Sequence, residues 1–107
     1  MGEGTFEGRS HPAEGIAKVI TDGEQTFLRF EEFATDNGPD LNVYLTAAPL
    51  DGPSDDYDND FIDLGDLKGN IGDQNYELDA DVDIDASPTV VIWCVRFGVA
   101  FGAASLQ

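Results

Sequence analysis

The chain has 107 residues, 41% of them hydrophobic, with seven Phe, three Tyr and one Trp, which is enough apolar material for one domain with a real core. Twenty-two acidic residues against five basic ones give a formal charge of −17, a field that argues against nucleic acid and anionic membrane surfaces as partners. Cations, basic proteins or concentrated salt suit it better, and adaptation to a saline setting would explain a uniformly acidic surface without any ligand.

Twelve Gly and five Pro in a chain with few helix formers point to strands and turns. Cys94 is the one cysteine, so an intramolecular disulfide and a cysteine-pair metal motif are both excluded. The opening Met1-Gly2-Glu3-Gly4 has neither a basic nor an apolar leader region, so no signal peptide is expected in the sequence as it stands. The longest strongly apolar stretch, Thr89 to Val95, is far too short to cross a bilayer.

Taken in order, Thr5 to Gly8 reads as a short first strand, followed by a turn at Ser10-His11-Pro12. Ile16 to Thr21 and Thr26 to Phe30 flank Asp22-Gly23, a strong hairpin signal. After a break at Thr35 to Asp40, the residues Leu41, Val43 and Leu45 alternate with Asn42, Tyr44 and Thr46, the period of a half-buried strand. Pro49 to Asp60 has no apolar run and reads as a loop, Phe61 to Leu64 as a short strand, and Gly65 to Gln74 as turns. From Tyr76 to Ala86, Leu78, Ala80, Val82 and Ile84 alternate with four Asp, which fits an edge strand or, because four like charges would share one face, an irregular extended segment. Thr89 to Val95 is apolar on both faces and rich in β-branched residues, the composition of a central strand, with Gly98 to Leu106 folding back beside it. No segment holds a helical period. The expected fold is all-β: one domain over residues 1–107, an antiparallel β-sandwich of short strands.

Several segments in this order resemble one family. They are Phe6-Glu7-Gly8 with His11 and Gly15, Leu28 to Phe33, Asn37-Gly38-Pro39-Asp40-Leu41 with Val43-Tyr44-Leu45, Leu64 to Gly72, and Val90-Val91-Ile92-Trp93-Cys94-Val95-Arg96-Phe97 with Phe101 to Ala104 and Leu106. The chain is similar to the electron-transfer DM-thirteen domain, an extracellular all-β module found beside DOMON domains. The resemblance implies an extracellular, periplasmic or cell-surface setting. It also implies a redox role for Cys94, as a bare thiol or as a ligand to a group such as haem, with an unnamed redox partner or surface protein. The stretches 51–60 and 79–88 are more acidic than that pattern, and Pro88 departs from it.

The residues leave alternatives open. Cys94 lies in the most apolar strand, where a free cysteine often behaves as a small inert hydrophobe. In a flat strand Arg96 would share its face and bring a guanidinium near a thiolate. One cysteine cannot cycle between dithiol and disulfide, so redox work needs a cofactor, a partner thiol or a sulfenic acid. Trp93, Phe97 and Phe101 fit either a cofactor wall or sandwich core, and His11 either an axial or metal ligand or a turn residue.

Asp56, Asp58 and Asp60 match the first, third and fifth places of an EF-hand loop, but Phe61 and Leu67 stand where Gly and Glu are required. A looser calcium site on those three carboxylates remains as an alternative. No nucleophile elbow or phosphate-cradling glycine loop occurs, and no stand-alone catalytic activity is expected. The leading functional expectation is a redox or electron-transfer module centred on Cys94. The alternative is a non-catalytic cell-surface module that engages cations or a partner protein through its acidic face.

Overall fold

The alternating and β-branched runs of the sequence become nine strands, and no helix, among the residues that the computed structural model describes: 2–50, 52, 57 and 61–106. The strands are β1 (Glu3–Thr5), β2 (Glu7–Gly8), β3 (Ala13–Thr21), β4 (Thr26–Thr35), β5 (Leu41–Thr46), β6 (Phe61–Asp66), β7 (Gln74–Leu78), β8 (Thr89–Cys94) and β9 (Val99–Ser105). They form two antiparallel sheets, in the orders β1-β3-β4-β7 and β2-β9-β8-β5-β6. The sheets face each other across a core that includes Phe6, Leu28, Phe30, Phe33, Val43, Leu45, Val90, Ile92 and Phe101, so the all-β sandwich is the observed fold.

The hairpin at Asp22-Gly23 forms as its sequence dictates. The Asp22 carboxylate accepts the backbone N–H of Gln25 at 2.8 Å and of Glu24 at 2.9 Å, and these donors hold its carboxyl below the ordinary carboxylate range. On the outer face of the first sheet, Glu31 binds Arg29 and Lys18, each at 2.8 Å. Arg29, and then Lys18, hold the Glu31 carboxyl below its usual range. A carboxyl depressed by folding contributes stability above its unfolded pKa and loses it as pH falls through the folded one, so this network is complete at neutral pH.

Two elements differ from the sequence expectation for packing reasons, and a third follows the irregular of its two expected forms beyond its first residues. The first strand is two strands, because the chain leaves one sheet and joins the other at Phe6, which is buried and donates its N–H to the Gly15 carbonyl at 2.9 Å. Strand β5 is buried on both faces rather than one, since Tyr57 closes over Tyr44, Val91, Trp93, Ala100 and Ala103 to form a second apolar layer outside the five-stranded sheet. The alternating acidic stretch is a strand only to Leu78. Beyond it the Asp83 side chain accepts the Asp85 N–H at 3.0 Å and its carbonyl accepts from Ala86 and Ser87, a turn-rich path that avoids lining four carboxylates along one face. The other part of the predicted 49–60 loop lies outside the described residues.

The β8–β9 ladder contains one bulge. Ile92 pairs with Gly102 and Trp93 with Ala100, leaving Phe101 as the extra residue with its ring in the core. Gly102 faces inward beside it, where a Cβ would lie 2.4 Å from the Cβ of Ala13 in the opposite sheet. Gly102→Ala should therefore destabilise the protein by about 1–3 kcal/mol. Adding Ala13→Gly should recover part of that loss in urea unfolding, whereas strictly additive costs would show that the two positions do not collide.

Candidate functional site

Antiparallel connectivity sorts the loops to two ends of the sandwich. The connections 9–12, 36–40, 67–73 and 95–98 emerge together at one end, linked by backbone bonds from Val95 to the Asp40 carbonyl, from Leu67 to Leu41 and from Thr35 to Asn70. The connections 22–25 and 79–88 lie at the other, where Gly2 and Leu106 also meet. Most of the segments quoted for the family resemblance reach the first end.

Cys94 is the last residue of β8 at that end. It pairs with Leu41 on one side and Val99 on the other, and none of its surface is exposed. Its carbonyl accepts the Gly98 N–H at 2.8 Å, which closes the turn that follows it. That turn is exposed, with Val95 at 46% and Phe97 at 59%. Strand geometry stops at Cys94, so Arg96 sits on the exposed turn and not on a strand face shared with the sulfur, and Phe97 belongs to neither apolar layer.

Trp93 points the other way. Neighbours along a strand alternate between faces, so Cys94 joins the core between the sheets while Trp93 joins the outer layer with Tyr44 and Tyr57. His11 stands at the rim of the same end as Cys94. Its Nδ1 lies 2.9 Å from the Asp36 carboxylate, and its ring stacks on Phe101 with centroids 3.8 Å apart. The bulge that carries Phe101 into the core is what supplies this platform. Gly38 passes so close that a Cβ there would lie 2.9 Å from the Phe101 ring.

Beside this corner, Asn37 to Leu41 and Asp66 to Asn70 line a polar cleft of about 380 Å³. Its Lys68 wall is held by a hydrogen bond of 2.8 Å from the Lys68 N–H to the Tyr76 hydroxyl. Burial pushes that hydroxyl above its usual range, and the bond offsets part of the effect.

The residues nominated from sequence thus divide. Cys94 and His11 share one end, with Phe101 belonging to the Cys94 core and carrying the His11 ring, whereas Trp93 is on the opposite face of the sheet. A haem ligated by Cys94 and walled by Trp93 does not fit this packing: the sulfur has no exposed surface, and the two side chains enter separate layers. Asp56, Asp58 and Asp60 lie outside the described residues, and among the described residues no group of three or more His, Cys, Asp and Glu is placed to hold a metal. Asp36 as the partner of His11 and the 37–40 cleft wall were not legible as part of a site, because only the fold brings those loops to the Cys94 end.

A sealed sulfur makes a direct prediction. Iodoacetamide should label Cys94 in the native protein only through opening, so labelling should be slow in the folded protein and become fast in urea. Rapid labelling of the folded protein would contradict the packing.

No curated protein and no solved structure matches the chain. A family model described as electron transfer DM13 matches residues 5–106, and with nearly its whole length covered the chain belongs to that family of electron-transfer domains.

Proposed function

We propose that this chain is an electron-transfer domain that works outside the cytoplasm, in the periplasm or at a cell surface, and that the Cys94 thiol is its redox group. The observation that supports this reading is the position of Cys94: fully enclosed, at the end of the central strand, beneath the loops on which the family-like segments converge. Thiol–disulfide exchange needs one sulfur to attack another directly, and sulfenic acid formation needs a peroxide at the sulfur. A thiol with no exposed surface favours neither in the closed fold. Loss of one electron to an oxidised partner, with release of the thiol proton, leaves a thiyl radical and requires no bulky reactant at the sulfur.

Cys94→Ser tests the assignment. The variant should fold, because Ser is close in size, and it should lose a redox couple that the wild-type protein shows by protein-film voltammetry. A couple that survives the substitution, or none in the wild type, overturns the assignment.

One observation favours a second reading, a binding module whose acidic face engages cations or a partner protein. The connections 22–25 and 79–88 carry six carboxylates and no basic residue. The electron-transfer reading expects calcium chloride and sodium chloride of equal ionic strength to raise the melting temperature equally, by screening. An excess specific to calcium would move the acidic-face reading ahead.

A further inference from the structure

The outer face of β8, β5 and β6 carries a run of aromatic rings at diagonal register positions. Trp93 pairs with Asn42 and Val91 with Tyr44, so Trp93 and Tyr44 are diagonal neighbours. Tyr44 pairs with Asp63 and Thr46 with Phe61, which makes Tyr44 and Phe61 diagonal neighbours as well. Aromatic side chains bridge that spacing. The rings lie nearly parallel: Tyr44 and Phe61 have centroids 4.0 Å apart at 17°, and Tyr44 and Trp93 6.2 Å apart at 21°.

This stack has a direction. Phe61, on the edge strand β6, is 38% exposed, whereas Tyr44 and Trp93 are 5% exposed each. It therefore runs from the surface inward to the residue joined by a peptide bond to Cys94. Aliphatic side chains would also fill an apolar layer. Indole and phenol differ from them in giving up one electron together with one proton.

We propose that Trp93 and Tyr44 form a one-electron relay between the surface at Phe61 and the interior of the five-stranded sheet. Its inner terminus at Cys94 rests on the functional reading above; the Trp93–Tyr44 exchange does not. An oxidant takes one electron from Trp93, and the indole N–H proton passes to water to give the indolyl radical. Tyr44 then loses an electron and its hydroxyl proton while Trp93 regains both, which restores the indole and leaves a tyrosyl radical. At the inner end Cys94 returns one electron by way of Trp93; its thiol proton passes to water and the phenol takes one back from water, which restores Tyr44 and leaves a thiyl radical. The physiological oxidant is a one-electron acceptor held by a partner protein.

Pulse radiolysis in azide solution tests the relay, because the azide radical oxidises Trp93, the one tryptophan in the chain, and becomes azide ion. The indolyl absorption should decay independently of protein concentration while tyrosyl absorption grows at the same rate. Tyr44→Phe should abolish that growth, whereas Tyr57→Phe, Tyr76→Phe and Phe61→Leu, which keep both relay groups, should retain it. A fluorotyrosine at position 44 keeps the packing and shifts the product spectrum, so it names the acceptor even where the Phe variant does not fold. Growth that survives Tyr44→Phe, that is lost with Tyr57→Phe instead, or that depends on protein concentration overturns the relay. Cys94→Ser separates the two claims. A tyrosyl radical that lasts longer in the variant than in the wild type ends the relay at Cys94. Equal lifetimes with the Tyr44 transfer intact would remove Cys94 from the route and leave the relay standing.

Discussion

Strand β8 is covered on both faces, and most of the architecture follows from meeting that demand. All six of its side chains are buried, each apolar one stabilising the fold by about 1.5–3 kcal/mol when fully removed from water. A sandwich supplies one cover, the opposing four-stranded sheet. The other must come from elsewhere, and here Tyr57 provides it, with its hydroxyl donating to the Leu50 carbonyl at 2.8 Å and Arg9 reaching over its ring. Two consecutive residues, Trp93 and Cys94, consequently belong to different apolar layers, and the sulfur is closed off from water while its neighbour faces a layer of rings.

The charge is distributed in keeping with this arrangement. The four connections at the Cys94 end carry Arg9, Lys68 and Arg96 against Asp36, Asp40 and Asp73, a formal balance. Lys18 and Arg29, the other two basic residues, are taken up by Glu31 and Asp73 on the outer face of the first sheet. The excess negative charge of the described loops sits at the far end, on Asp22, Glu24 and the four Asp of 79–85. A basic partner is drawn toward that far end, whereas a partner that is itself acidic meets least repulsion at the Cys94 end. Salt weakens both tendencies, because these exposed charges are screened over roughly 8–10 Å at physiological ionic strength.

Much of this was readable from local chemistry. Asp22-Gly23 between apolar runs announced the hairpin, and the two-faced apolar run from Thr89 marked the centre of a sheet, where β8 is found. What local chemistry could not give was the partner of each face. Tyr44 read as the exposed side of a half-buried strand because the residues that cover it lie in a segment with no apolar run, where one Tyr serves as the anchor. The alternation from Leu78 to Asp85 had the period of a strand, yet like-charge repulsion and the turn-forming habit of Asp outweighed it after one residue. Phe6 looked like the middle of a strand and is instead the crossing point between sheets, a role set by Gly2 and Gly4, whose missing side chains let the first strand pass against the backbone of Ser105 and Leu106. Cys94 and Trp93 could be nominated from sequence, and strand alternation already sends them to opposite faces, but which side chains cover each face is set by the fold.

Sealing a thiol in a core and placing it at the end of a strand have different consequences, and the second limits the first. Deep in the sheet, Cys94 would be released only by global unfolding. At the end of β8 it adjoins the 95–98 turn, held by the Gly98 to Cys94 and Val95 to Asp40 backbone bonds, with Val95 and Phe97 gaining little from the core because both face solvent. Short exposed turns of this kind open at free energies well below that of the whole fold. The Phe101 ring limits the spread of such an opening, since it is fixed from outside by His11, from the side by Gly38 and by its own carbonyl, which accepts the Arg9 N–H at 2.9 Å. The fold therefore sets the sealed sulfur beside a turn with few core contacts, while the aromatic corner next to it is held in place.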